Sequence, residues 1–159
     1  MNNQSLIASL WAKVASLKTA LASLKPIGLQ PLVQRKANEV IASMSLLGLP
    51  VRITEGYRSE TRQNALYAQG RTTPGVIVTN AKAGDSLHNY GVAVDFVFRN
   101  QGYNATEAQW QTLVHIAKSK GFEWGGDWPS FPDKPHFQLM LGYTLEDFKA
   151  GKVDYTKYA

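Results

Sequence analysis

The chain has 159 residues, 44% of them hydrophobic and 11% aromatic, which suits one ordinary domain with a sizeable core and excludes disordered and collagen-like chains. It contains no cysteine, so disulfide staples, Cys-based zinc fingers, iron–sulfur clusters and thiol catalysis are excluded, and a metal would have to sit on His, Asp or Glu. The net charge of +5 arises at the start: residues 1–38 carry Lys13, Lys18, Lys25, Arg35 and Lys36 without an acid, whereas from Glu39 onward twelve bases balance twelve acids. A domain with no basic excess argues against a nucleic-acid partner, while the basic start suits an anionic surface such as cell wall or lipid.

Residues 1–28 read as a basic amphipathic helix or arm, in which Leu6, Ile7, Leu10, Val14, Leu17, Leu21 and Leu24 share one stripe at 100° per residue. Lys13 and Lys18 interrupt the apolar run and Met1–Ser5 carries no positive side chain, so neither a secretory signal nor a membrane-spanning helix is expected. The stripe suits packing on the main domain or a neighbouring chain. It also suits an anionic membrane surface, with lysine stems lying over apolar ground. A parallel coiled coil is disfavoured by the lysines on both flanks. Pro26 and Gly28 end the pattern.

Residues 29–159 read as one further domain. Pro31 opens a helix with Leu32, Val33, Ala37, Val40, Ile41, Met44 and Leu47 on its apolar side, closed by Gly48 and Pro50. Val51–Glu55 alternates as a short strand. Ser59 caps a helix to about Gln69, stopped by Gly70. Val76–Val78 reads as a brief extended piece, Asp85–Gly91 as a loop and Val92–Phe98 as a strong strand. Thr106 and Gln109 form a capping box for a helix to Lys120. A Gly-, Pro- and Trp-rich stretch then leads to the apolar run His136–Leu141. Helices and strands mix without a βαβ rhythm, which predicts an α+β fold with a small antiparallel sheet and flanking helices.

The chemistry concentrates in Ser86–Asp95. An aspartate within so apolar a strand is expensive to bury unless paired or bound to a cation, and Gly91 allows the chain to turn so that His88 lies beside Asp95. His136 is the best third partner: two His, one Asp and an open fourth position form the ligand set of a catalytic zinc. Asp133, three residues earlier, is placed to take a proton without being a ligand. Spacing alone leaves open the plainer alternative of two ordinary histidines and an aspartate paired to an arginine.

Three blocks add a resemblance. Gly56-Tyr57-Arg58-Ser59 with Gln63 and Leu66–Thr72, Ser86-x-His88-Asn89-x-Gly91-x-Ala93-x-Asp95, and Phe122–Trp128 followed by Asp133-x-x-His136-Phe137 occur in this order over roughly residues 31–141. They resemble the VanY-type family of D-alanyl-D-alanine carboxypeptidases and L-alanyl-D-glutamate peptidases, and Leu66–Thr72 is especially similar to its phage endolysins. The resemblance implies a hedgehog/D-alanyl-D-alanine peptidase-like fold and one zinc ion held by His88, Asp95 and His136. It further implies Asp133 as general base and acid, Arg58 steadying the carbonyl and developing oxyanion, and Ser86 lining the substrate cleft, with bracing of the His88 loop an equal alternative for the serine. The implied activity is hydrolysis of the L-alanyl–D-glutamate bond of peptidoglycan stems. The rivals are a carboxypeptidase with the same metal site and a zinc-containing wall-binding module without turnover. A phage lysin of this kind would accumulate in the host cytoplasm and be released to the wall.

Outside that set, His115 reads as a structural histidine, and Asn104-Ala105-Thr106 as a turn or a glycosylation sequon. Trp124, Trp128 and Tyr90 read as packing or cleft lining, and Glu123 and Asp127 as orienters of the imidazoles or ligands of another cation.

Overall fold

The structure is a computed structural model that describes residues 7, 9–14 and 28–158. Residues 7 and 9–14 are helical and exposed. The rest of the expected stripe, Leu6, Leu17, Leu21 and Leu24, and its end at Pro26 lie outside the described residues.

Helix α1 (Pro31–Leu46) begins on Pro31, whose fixed φ favours the first helical turn. It buries Val33, Ala37, Val40 and Met44, the 4-3-4 spacing of one helix face. Leu47, expected on that face, is instead its C-cap and is 58% exposed, because the helix has already ended. Strand β1 (Val51–Glu55) follows, then α2 (Glu60–Ala68), whose N-cap Ser59 accepts a hydrogen bond from the Arg62 backbone N–H. Residues 76–78 form no strand and stay exposed in a loop. The Asp85–Gly91 loop contains a 3-10 turn, Leu87–Tyr90. Strand β2 (Ala93–Phe98) and helix α3 (Glu107–Ser119), with the capping box of Thr106 and Gln109, lie where expected. Two-residue β3 (Glu123–Trp124) and helix α4 (Leu145–Lys149) are further elements, and the last apolar run yields only the three-residue strand β4 (His136–Gln138).

The four strands form an antiparallel sheet in the order β1-β2-β4-β3. Alternation divides it in two. One face presents Val94, Phe96, Phe98, Phe137 and Trp124 to the core, where α1 and α3 pack on each other. Phe96 meets Phe137 edge-on at 5.4 Å, and Phe98 meets Trp110 of α3 at 5.3 Å, contacts worth roughly 0.5–1.5 kcal/mol each beyond their burial. The opposite face carries Asp95 directly across from His136, and Gln138 directly across from Glu123.

The candidate metal centre and its cleft

His136 and Asp95 meet because β2 and β4 pair in that register. His88 joins them from the 3-10 turn, which ends on Gly91 at φ +69°. A Cβ at Gly91 would lie 2.7 Å from the Gly28 carbonyl oxygen, so both the positive φ and the close approach require glycine. The three side chains bring His88 Nε2, His136 Nδ1 and Asp95 Oδ1 together at separations of 3.2, 3.2 and 3.5 Å. They are a candidate metal-binding group, and both histidines are buried.

Hydrogen bonding identifies the free nitrogens. His88 Nδ1 lies 2.7 Å from the Gly56 carbonyl oxygen, which only accepts, so Nδ1 bears the proton and Nε2 the lone pair. His136 Nε2 lies 3.1 Å from Gln138 Oε1, and Gln138 Nε2 donates to Glu123 Oε2 at 2.8 Å. Nε2 of His136 therefore donates outward and its Nδ1 turns a lone pair inward. With both imidazoles neutral, two nitrogen lone pairs and a carboxylate face one another. Consistently, Asp95 Oδ1 is buried without a hydrogen-bond donor. Three converging acceptors require a cation or a proton between them. Bonds of about 2.0–2.1 Å in a tetrahedral zinc site place ligand atoms about 3.3 Å apart, matching the observed separations. The residues fit such an ion.

Burial opposes ionisation of Asp95; without a cation in the group, protonated His136 and His88 imidazoles donating to it and carrying charge would lower its pKa instead. Asp133 behaves oppositely: burial and then the Asp95 charge raise its pKa against the pull of His136, His88 and Arg58. Its loop is fixed by Asp133 N–H to the Gly125 carbonyl at 3.0 Å, Trp124 Nε1–H to the Lys134 carbonyl at 2.8 Å, and Phe96 N–H to the Pro135 carbonyl at 2.9 Å.

Arg58 is buried and donates to Glu55 Oε2 and to Gln63 Oε1, each at 2.8 Å; its Nη2 lies 3.7 Å from Asp95 Oδ2. Its Nε–H has no partner among the described residues. Glu55 reaches this site through a β-bulge. Ile53 faces Phe96, yet Glu55, rather than Thr54, faces Asp95. Gln63, fully buried, also donates to the Ala81 carbonyl at 2.7 Å and so links Arg58 to the loop forming a cleft wall.

The cleft, about 670 Å³, is lined by Arg58, Ser86, His88, Asp95, Asp133 and His136 among others. All six residues singled out from the sequence thus share one cavity. Ser86 is buried at its wall, and its side chain makes no capping hydrogen bond. Trp128 lines the cleft with its ring 4.9 Å from that of His136. Trp124 is buried in the core, and Tyr90 packs against Phe148 with its hydroxyl donating to the Gly84 carbonyl. His115 is exposed on α3, contrary to a structural place on its apolar side, because the core stripe there is Trp110, Leu113, Val114 and Ala117. Asp127 pairs with Lys118 at 2.6 Å, whereas Glu123 reaches His136 through Gln138. Glu55 and Gln138 were not anticipated, and Gln63 stood among the residues of the resemblance without a role; Gln138 was detectable by period two from His136.

The chain matches the family model described as D-alanyl-D-alanine carboxypeptidase over residues 79–139. It is 42% identical over 126 residues to the peptidoglycan L-alanyl-D-glutamate endopeptidase CwlK of Bacillus subtilis (strain 168), covering 72% of this chain and 75% of that protein. It is 34% identical over 109 residues to the L-alanyl-D-glutamate peptidase of Listeria phage A118, covering 65% of this chain but 36% of the phage protein. The crystal structure of the L-Ala D-Glu endopeptidase ChiX of Serratia marcescens superposes with a TM-score of 0.53 at 25% identity, over 77% of this chain and 85% of that one.

Proposed function

Because the chain belongs to the D-alanyl-D-alanine carboxypeptidase family of metallopeptidases, we propose that it hydrolyses the L-alanyl–D-glutamate bond of peptidoglycan stem peptides with one zinc ion. The observation carrying this reading is the convergence of two lone pairs and a carboxylate at the edge lengths of a zinc tetrahedron. The two relatives named for this bond support the substrate.

His88 Nε2, His136 Nδ1 and Asp95 would hold the ion. When bound, zinc supplies Lewis acidity for the scissile carbonyl and the attacking water. Asp133 takes the proton from that water and delivers it to the leaving amine; its raised pKa brings a carboxylate nearer the strength such an exchange needs. Arg58, fixed by Glu55 and Gln63, holds positive charge where the tetrahedral oxyanion develops. Ser86 lines the wall on which the stem lies.

Digestion of purified sacculi followed by mass spectrometry tests the reading. New L-alanine carboxyl ends and D-glutamate amino ends are expected. Release of free D-alanine alone identifies the carboxypeptidase instead. Asp133→Ala should keep zinc and lose turnover; stem cleavage at a near-normal rate by that variant refutes the mechanism.

The arm and its setting extend the reading. Ile7, Leu10, Trp11 and Val14 lie exposed on one helical face with Lys13 beside it, which supports contact with an anionic membrane or wall surface. No helix among the described residues is long and apolar enough to cross a membrane. The similarity to the phage peptidase supports a lysin that reaches peptidoglycan from the host cytoplasm once the membrane is opened. Residues 1–28 as an arm and 29–159 as the catalytic domain remain the organisation we propose.

A further inference from the structure

The two histidines of the group are held by unequal partners. His88 Nδ1 donates to a backbone carbonyl, Gly56, which cannot change from acceptor to donor. His136 Nε2 faces a side-chain amide, Gln138, and an amide can rotate by half a turn to present its NH2 in place of its oxygen. In that rotated state Nε2 of His136 would accept, its proton would move to Nδ1, and an N–H would point at His88 Nε2, 3.2 Å away. The space between the three acceptors would then hold a hydrogen.

Glu123 opposes that rotation. It sits directly across from Gln138 on the neighbouring strand, and its Oε2 accepts from Gln138 Nε2 at 2.8 Å. A carboxylate has no proton to give, so turning the amide would set oxygen against oxygen. The Gln138 side chain lies beside His136 in the sheet face and borders the cleft, and Glu123 is the protein partner that sets the direction of its amide. The orientation is thus transmitted from a carboxylate at the exposed sheet edge, through one amide, to the inward nitrogen of an imidazole.

Resting on the zinc-site reading, we propose that Glu123 is a positioning residue for metal binding, acting through Gln138 to keep the proton of His136 on Nε2 and its lone pair on Nδ1. The experiment uses the full chain, Zn(II) alone as probe, and three proteins: wild type, E123Q and the exchange E123Q/Q138E. E123Q retains the size of the side chain and the strand pair, but a second amide can donate or accept and no longer fixes direction. In the exchange, the carboxylate lies next to His136 and fixes its tautomer directly.

Zinc affinity by chelator competition should fall about tenfold or more in E123Q, the range typical of partners behind a metal ligand, and return to within about threefold of wild type in the exchange. Histidine-side-chain nitrogen NMR of the zinc-free proteins should show His136 protonated on Nε2 in wild type and the exchange, and a mixture in E123Q. Equal affinity and an unchanged His136 pattern in E123Q overturn the proposal, as does a lowered melting temperature with neither readout moved, or an exchange that fails to restore binding. Wild type that takes up no zinc overturns the zinc-site reading itself, a result distinct from all of these.

Discussion

Gly125 lies behind the loop that carries Asp133, and replacing it with alanine tests whether the position of this proposed base matters. A Cβ there would lie 2.8 Å from the Asp133 carbonyl oxygen, 3.0 Å from His136 Cβ and 3.3 Å from Asp133 Cβ. Gly125 does not have a positive φ, so alanine costs little in backbone conformation and the effect comes from contact. Ordinary contact begins at 3.4 Å, so the Asp133 carbonyl must retreat by about 0.6 Å. It is not free to do so: the Gly125 carbonyl accepts from both Asp133 N–H and Trp128 N–H, and the Asp133 carbonyl accepts from His136 N–H. Overpacking of this kind costs about 1–3 kcal/mol of stability. A misplacement of about 1 Å can cost roughly 100-fold in rate, so half that displacement should lower kcat about tenfold. The assay is stem-peptide hydrolysis with zinc content and melting temperature measured on the same samples. Unchanged kcat and melting temperature in Gly125→Ala would refute the claim that Asp133 works from a fixed position.

Gln63→Leu removes the acceptor of Arg58 Nη1 and the donor to the Ala81 carbonyl; a loss of about 2–3 kcal/mol in urea unfolding is expected, with reduced turnover, and an unchanged midpoint would contradict the link between Arg58 and the cleft wall. Burial raises the Glu55 pKa, but hydrogen bonds and charge from Arg58 and Arg62 outweigh it and set the folded value below 4.5. The stabilisation from its ionised form is therefore present above about pH 4.5 and lost as pH falls through the depressed folded value. The melting-temperature gap between wild type and Glu55→Gln should stay constant above about pH 4.5 and close as the pH is lowered further through the depressed folded value; a gap constant throughout acidification would refute the assignment. Deleting residues 2–25 should weaken lysis of intact cells while sparing digestion of bare sacculi; equal loss on both would show that the arm serves the domain rather than a surface.

The sequence was most readable where one local rule acted alone. Pro31, Ser59 and Thr106 set helix starts that the fold reproduces, because capping is decided within a single turn. Asp95 was visible as an anomaly of polarity in an apolar strand, and the histidines by their scarcity. The short elements were not readable: β3 has two residues, and its place is set by pairing Trp124 with Phe137 rather than by propensity. His115 shows the opposite failure, since helical periodicity gives an approximate face and a position at the stripe's border is decided by the neighbouring helix.

Glu55 shows why the surroundings of the candidate metal centre were harder to see than its three converging side chains. Strict alternation through Val51–Glu55 groups Glu55 with Val51 and Ile53, the residues facing Phe98 and Phe96 on the core side. In that register Glu55 would enter the core, where an unpaired carboxylate is heavily penalised. The bulge between Ile53 and Glu55 instead brings it opposite Asp95, within reach of Arg58 and Arg62. A one-residue irregularity thus reverses the side chain's face, converting what alternation reads as a buried liability into the anchor of the guanidinium beside the candidate metal group. Nothing in the five residues of that strand encodes the bulge on its own. It is favoured because Arg58, three residues further on, is buried and requires a carboxylate partner. The candidate ligands can be read from their own chemistry, whereas the residues that hold them in place can be read only from one another.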